Sequence, residues 1–523
     1  MGSAGAIGGS EFQPDISVLM AQADAAYRQG QMAFAIEFCD RILAIRSDFV
    51  PAKILSAVAH LRNGQAEVAE QMFLAILQTE QNCFPAYLWL GTHYSHVGRH
   101  EASAEMALHA VRIRPQDKDA RFLLARAHFA LGEFQDAARE FERTLSIHEE
   151  HGEAHAMLGA LLQQLGRFED ADRHLLRAIE LTPFAGDPYY DLAIARKWGE
   201  SEEWLVDRFE EATKQPNLQA RELSSIEFAL GKAYDDRGEY QRASRHYQEA
   251  NRLALRWMRS LGMNYDAEKI EEDFGRAERS LATCRAMEPG SDSELPVLVV
   301  GMARSGAGLL EQILSCHSQI AAAGEANYWL DRIGVFHAEE RPPTEHESER
   351  LADKYLETLT RMAPEAPFVI DRTPHNFVAL GWIRGILPNA RIIHVRRDLR
   401  DLCLSNYTTH FPFPMDYSHS LRNIAHFASH YDRLMAFWRM TLPSDRYVEI
   451  DYEDLIEQPA EKIRSILRFL GLEWEAACLR HDLNPNQVRT PSRWQVRQPL
   501  YRDSVGRWRH YQDLIDMPCD LPG

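Results

Sequence analysis

The chain is predicted to be all helix in its first part and α/β with a parallel sheet in its second. Three observations carry that expectation. Gly30, Gly64, Gly98, Gly132 and Gly166 recur at a constant spacing of 34 residues. Much later, residues 295–314 (LPVLVVGMARSGAGLLEQIL) read as a short buried strand, a glycine-rich turn and a helix start. Between them, Glu288-Pro-Gly-Ser-Asp-Ser-Glu294 is a cluster of polar turn formers and marks a domain boundary.

The repeats come first. Five positions after each glycine stands a small residue, Ala35, Ala69, Ser103, Ala137 and Ala171, and Gly238 with Ala243 repeats the pair out of phase. Pro115 and Pro183 close their repeats 17 residues after Gly98 and Gly166. A 34-residue period with a turn glycine and small packing residues is the tetratricopeptide signature of helix–turn–helix units. Each unit buries its apolar face only against its neighbours, so the array is expected to form a superhelix whose groove takes a polypeptide or protein partner. Trp198, Trp204 and the region of Pro216 interrupt the period, and helical patterning then runs to about Met287. The expected organisation is an expression-type leader at 1–12, a repeat domain at 13–287 and a second domain at 295–523.

Within the second domain, the strand at 295–300 runs into Gly301, Arg304, Ser305, Gly306, Ala307 and Gly308. Backbone N–H groups converge in such a turn, and the helix dipole adds positive potential, so an anion site is expected. The turn lacks the Lys and metal-holding hydroxyl of a nucleoside-triphosphate loop, and the spacing differs from a dinucleotide fingerprint. Arg304-Ser305-Gly306 suits a terminal 5′-phosphate held without metal. A second strand, Ala390 to Val395, ends in Arg396-Arg397-Asp398, with Ser405 eight residues beyond Arg397. An arginine fork at a strand end and a serine two helical turns on can grip a further phosphate, at the edge where open α/β sheets bind ligands.

These segments together resemble the sulfotransferases that use 3′-phosphoadenosine 5′-phosphosulfate (PAPS), in particular the tyrosylprotein sulfotransferases and bacterial proteins that join tetratricopeptide repeats to a sulfotransferase domain. Ala303 to Gly308 reads A-R-S-G-A-G where the family's 5′-phosphosulfate loop reads P-R-S-G-T-T. RIIHVRRDLRDLCLSNY (391–407) is similar to the 3′-phosphate motif, YEDL (452–455) to a segment whose Tyr lies near the adenine, and SVGRW (504–508) to a C-terminal segment whose basic residue meets the 3′-phosphate. The resemblance implies a P-loop-like α/β domain with a parallel sheet. It implies that Arg304, Ser305, Gly306, Ala307, Gly308, Arg397, Ser405, Tyr452 and Arg507 bind the co-substrate, with PAP as product and no metal. Glu325, in Ala323-Gly324-Glu325, matches the family's general base, and Arg372 falls where the family has Lys. His375 is the competing base, by analogy with small-molecule sulfotransferases. Ser492, Arg493, Trp494 and the stretch from Thr490 to Tyr501 form a candidate closing loop over the nucleotide.

The chemistry is consistent with that assignment. Sulfuryl transfer between two oxygens in line needs positioning, a cation at the leaving phosphate and a base within reach of the acceptor hydroxyl. A repeat groove beside the site suggests a protein tyrosine as acceptor, because a phenol, which ordinarily titrates near pH ~10, is easier to deprotonate than a sugar hydroxyl. The alternatives are a glycan hydroxyl, or a repeat scaffold whose transferase domain has lost activity along with the two loop threonines.

Composition narrows the partners. The 523 residues carry a net charge of −19, which argues against nucleic acid or an anionic membrane as the main partner. Cys39, Cys83, Cys284, Cys316, Cys403, Cys478 and Cys519 are scattered and odd in number, as expected in a reducing compartment. No apolar run approaches the ~20 residues of a membrane span, so a cytoplasmic protein is expected, with homodimerisation possible. Tyr189, Tyr190, Trp438 and Trp474 read as core.

Overall fold

The computed structural model describes residues 15–284, 287–339, 341–363, 365–411, 415–488 and 490–515. The expected leader at 1–12 and Cys519 lie outside the described residues. The chain forms two compact units that divide between Leu158 and Gly159.

The first unit is helical: α1 (Ile16–Arg28), α2 (Met32–Ile45), α3 (Val50–Arg62), α4 (Ala66–Thr79), α5 (Phe84–His96), α6 (His100–Ile113), α7 (Lys118–Leu131) and α8 (Phe134–Ile147), with α9 (Gly152–Gln164) crossing the division. The repeating glycines close the turns within each helical pair at φ between 75° and 80°, the left-handed region that excludes most side chains. The small residues five positions on are all fully buried, Ala35, Ala69, Ser103, Ala137, Ala171 and Ala243 alike, so the helices approach closely there. Ser103 keeps its hydroxyl in that tight contact by donating to the Gly91 carbonyl at 2.9 Å.

The second unit continues the helices with α10 (Phe168–Leu181), α11 (Asp187–Ile194), α12 (Glu203–Thr213), α13 (Ala220–Asp236), α14 (Tyr240–Ser260) and α15 (Ala267–Cys284). Where the period breaks, Trp198 is buried and its indole N–H donates to the Ala193 carbonyl at 3.0 Å, whereas Trp204 is exposed. An α/β layer follows: β1 (Pro296–Val300), α16 (Ala307–Leu314), β2 (Ile320–Gly324), α17 (Trp329–Glu339), α18 (Glu345–Met362), β3 (Phe368–Asp371), α19 (Leu380–Ile386), β4 (Arg391–Arg396), α20 (Leu399–Tyr407), α21 (Leu421–Thr441), β5 (Tyr447–Asp451), α22 (Tyr452–Glu457), α23 (Pro459–Leu470) and the short α24 (Gln512–Ile515).

The five strands pair in parallel in the order β2-β3-β1-β4-β5. From β1 the chain winds outward to β2 and returns through β3, then crosses to β4 on the other side. The carboxyl ends of β1 and β4 therefore flank the switch point, where such sheets open a crevice. The inner strands β1 and β3 are buried along their whole length and β4 from Ile392 to Val395, as apolar runs in a parallel sheet require, whereas the edge strands β2 and β5 are only part-buried. Val297, Val299, Ile370, Ile393 and Val395 face a core shared with α16, α22 and α23. Leu298, Val300, Val369 and Ile392 face the opposite way, into a core continuous with Tyr189, Phe209, Phe228 and Tyr247 of the helices before the sheet. Tyr189, Tyr190 and Trp438 are buried, and Trp474 is partly buried with the Arg464 guanidinium 4.5 Å from its ring centroid.

Candidate functional site: an arginine-rich crevice at the sheet switch point

The turn after β1 is held in an unusual shape. Arg304 has φ +70° and Gly306 φ +108°, and a Cβ at Gly306 would lie 2.5 Å from Tyr452 Cδ2. Glycine is thus required both by the backbone angle and by the ring packed on it. Gly306 caps α16, and the N–H groups of that helix's first turn have no intrahelical acceptors. The Ser305 hydroxyl is buried against Gly301 without a hydrogen-bond partner.

Two guanidiniums meet at this turn. Arg304 is half-buried: Nε donates to Ser405 Oγ at 3.1 Å, Nη2 to Gln495 Oε1 at 3.1 Å, and Nη1 to Ser492 Oγ. Arg397, just past β4, donates through Nη1 to the Arg304 carbonyl and through Nη2 to the Ser504 carbonyl, both at 2.8 Å, while its Nε is buried without a partner. Its guanidinium lies 4.8 Å from the Tyr452 ring centroid. Among the described residues neither arginine has a carboxylate partner. Burial, then the neighbouring Arg397 and Arg507 charges, pull the Arg304 pKa below the guanidinium norm. An arginine does not lose its proton at these pH values, so two like charges are half-buried together without compensation. That is the electrostatic signature of a site built for an anion.

Arg507 differs. It lines the same crevice, but its Nη2 pairs with Asp235 of α13 at 2.7 Å. The segment that carries it is fixed by Asp401 of α20, which accepts from the Gly506 N–H at 2.6 Å and the Trp508 N–H at 2.9 Å. Ser504 shares a 2.7 Å hydrogen bond with the Tyr452 hydroxyl.

At the other end of the crevice, Glu325 follows β2 on a loop pinned by three backbone bonds. Gly324 N–H donates to Glu311 at 2.9 Å, Ala326 N–H to Asp371 at 3.4 Å and Asn327 N–H to Thr373 Oγ1 at 3.1 Å. Arg372 reaches across from the end of β3, its Nε on Glu311 and its Nη1 on Glu325 Oε1 at 2.6 Å. Burial opposes the Arg372 charge, but the Glu311 and Glu325 carboxylates outweigh it and hold its pKa above the usual value. The Arg372 side chain is 5% exposed and that of Glu325 34%, so the carboxylate of Glu325 is the member of the pair that solvent and a ligand can reach. His375 lies deeper, 3.2 Å from the Tyr417 hydroxyl, and burial lowers its pKa to about 4, leaving it neutral.

All eleven residues singled out by the sequence, Arg304 to Gly308, Glu325, Arg372, Arg397, Ser405, Tyr452 and Arg507, line one cavity of about 420 Å³. Residues Thr490 to Ser492 and Gln495 to Tyr501 cover it, apart from Arg497, whose guanidinium turns to the Gln164, Asn484 and Asn486 carbonyls. Arg493 points away into the helices, onto Gln163 Oε1 at 2.8 Å and Asp191. Trp494 lines an adjoining cavity of about 610 Å³ with Tyr190, Tyr240 and Tyr247.

Residues 296–476 match the Sulfotransferase family, and residues 129–196 match the Tetratricopeptide repeat. The chain is 31% identical over 333 residues to an uncharacterized protein of Aquifex aeolicus, covering 59% of this chain and 43% of that one. It is 23% identical over 265 residues to a protein-tyrosine sulfotransferase of Drosophila melanogaster, covering 46% and 52%, and 26% identical over 197 residues to a putative protein-tyrosine sulfotransferase of Caenorhabditis elegans, covering 36% and 71%. The chain thus spans about half the length of the first relatives it matches. A crystal structure of MamA protein aligns with 32% of this chain and 92% of its own at 18% identity and a TM-score of 0.29.

Glu311, Asp371 and Asp401 were not legible as site residues. Each is an acid inside a helical or strand-end pattern, and only the fold reveals that it holds the Glu325 loop or the C-terminal segment. The Tyr355 hydroxyl and the Asn376 amide also converge on Asp371, at 2.8 and 3.0 Å.

Proposed function

We propose that the protein is a PAPS-dependent sulfotransferase whose acceptor is a tyrosine of a polypeptide presented by the repeats. The observation that carries the reading is the half-buried, uncompensated pair Arg304 and Arg397 beside the unpartnered Ser305 hydroxyl. A bisphosphorylated nucleotide supplies the negative charge this crevice lacks. On this reading the turn amides from Ser305 to Gly308 and the Arg304 guanidinium hold the 5′-phosphate. Arg397 and Ser405 take the 3′-phosphate, with Arg507 behind them, and the Tyr452 ring borders the base. PAPS supplies the sulfuryl group and a phosphate leaving group. Glu325 takes the acceptor proton as the oxygen–sulfur bond forms, and Arg304 meets the charge that develops on the phosphate oxygen. Arg372 orients Glu325 and adds a second cation to the same cavity. Leu330, Pro374, Phe411 and Met415 line the same cavity as Glu325, and this apolar lining suits a phenol ring better than a sugar.

The protein-tyrosine sulfotransferases among the relatives support the same choice of acceptor, and the repeats support a protein partner. The scattered, odd set of cysteines supports a cytoplasmic setting. No helix among the described residues is long and apolar enough to cross a membrane. One observation favours a second reading: Ala307 and Gly308 offer no hydroxyl where each lost hydrogen bond to an anion is worth about 1.5–3 kcal/mol, as in a scaffold that keeps the nucleotide and has lost turnover. Calorimetry with PAP, followed by transfer of labelled sulfate from PAPS to a peptide library and an oligosaccharide panel, separates these. Sulfated tyrosine is the expected product. Label on glycans alone overturns the acceptor, PAP binding without transfer selects the scaffold, and no PAP binding ends the nucleotide reading.

A further inference from the structure

Away from the crevice, helices α15 and α21 bring together Glu271, His426 and His430. The two histidines stand four residues apart on α21, on one face. Both turn Nε2 toward the same atom, Glu271 Oε1, at 3.3 Å from His426 and 3.9 Å from His430. One ligand atom from each residue lies within 4.8 Å of the others, and the two imidazole rings are 4.6 Å apart. Tetrahedral bonds of about 2.0–2.1 Å place ligand atoms about 3.3 Å apart, so the His426–Glu271 pair at 3.3 Å already matches one edge of such a polyhedron and the His430–Glu271 pair at 3.9 Å lies close to another.

Surrounding groups complete the case. His426 Nδ1 is 2.7 Å from the Tyr265 hydroxyl, the outer partner that fixes ring and tautomer in metal-bound histidines. The His430 ring is enclosed by Phe274, 6.0 Å away, and its Nδ1 has no hydrogen-bond partner. Glu271 is 58% exposed, which leaves the fourth position open to water.

We infer that Glu271, His426 and His430 form a binding site for a divalent transition metal, zinc by the chemistry of two imidazoles and one carboxylate. The metal would tie α15 to α21 and has no part in the crevice; the inference stands or falls independently of the sulfotransferase reading.

The test uses the full chain, freed of metal with a chelator and titrated with Zn²⁺ by calorimetry and with Co²⁺ by visible absorption. One equivalent is expected, with the intense d–d bands of a four-coordinate Co²⁺ site. His426→Ala, His430→Ala and Glu271→Gln should each weaken binding at least about tenfold, whereas His346→Ala, at an exposed histidine elsewhere, should not. Zn²⁺ should raise the melting temperature of the parent protein and not that of the folded variants. Equal Zn²⁺ affinity in parent and variants, octahedral Co²⁺ spectra, or no binding to a chain that circular dichroism shows folded would overturn the assignment.

Discussion

Replacing Gly306 by alanine tests the architecture of the crevice most directly. At φ +108° a side chain costs about 1–3 kcal/mol in backbone strain alone. The new Cβ would also stand 2.5 Å from Tyr452 Cδ2, so the ring has to move. That movement breaks the 2.7 Å bond to Ser504, worth about 1 kcal/mol, and the Arg397 contact over the ring, worth a further ~1 kcal/mol. Together these give a loss of about 3–5 kcal/mol, a large part of a typical domain's stability. Gly308→Ala is the matched control, because its Cβ would meet nothing within 4 Å and its φ is not positive; a change under ~1 kcal/mol is expected there. Urea titrations followed by tryptophan fluorescence, with PAP calorimetry on the same samples, measure both. Equal midpoints for the two variants would refute the claim that the turn's shape is enforced by Tyr452.

Other consequences can be measured separately. On the proposed reading, Glu325→Gln should lower turnover by about 10²–10⁴ and leave PAP affinity unchanged in calorimetry, because Glu325 would act on the acceptor and not on the nucleotide. Arg397→Ala should weaken PAP binding by about 1.5–3 kcal/mol and flatten its salt dependence, read as the slope of log Kd against log salt. His375 and His419 are both held down to about 4 by burial, against an ordinary value near 6.5. The unfolded chain therefore takes up these protons first as pH falls. Stability is fully present above about pH 6.5 and is lost toward pH 4, by up to ~3 kcal/mol per histidine. Denaturant midpoints at pH 7.5, 6 and 5 should fall in that order, and His375→Gln should shallow the slope.

Much of this organisation was visible in the residues alone. The repeat glycines fall in left-handed turns and their small companions at buried contacts, because a spacing of 34 residues reflects a local rule repeated along the chain. The residues of the phosphate motifs reach one cavity for a similar reason: strand ends in a parallel sheet share an edge. What stayed hidden depends on pairing across long sequence distance. Nothing near Arg507 announces that Asp235 neutralises it, and nothing near Arg372 announces that Glu311, 61 residues away, anchors it. Arg493 and Ser492 are neighbours, yet one guanidinium points into the helices and the other's hydroxyl caps Arg304, a difference set by packing and not by residue type.

The turn-rich segment before β1 invites cutting there, but the sheet face bearing Leu298 and Val300 closes against Tyr189, Phe228 and Tyr247. A fragment begun at Leu295 would bare that greasy surface to water and invite precipitation. Excision for engineering belongs in the turn before α9, ahead of Gly152, so that no helix is cut and the later helices leave with the sheet they cover.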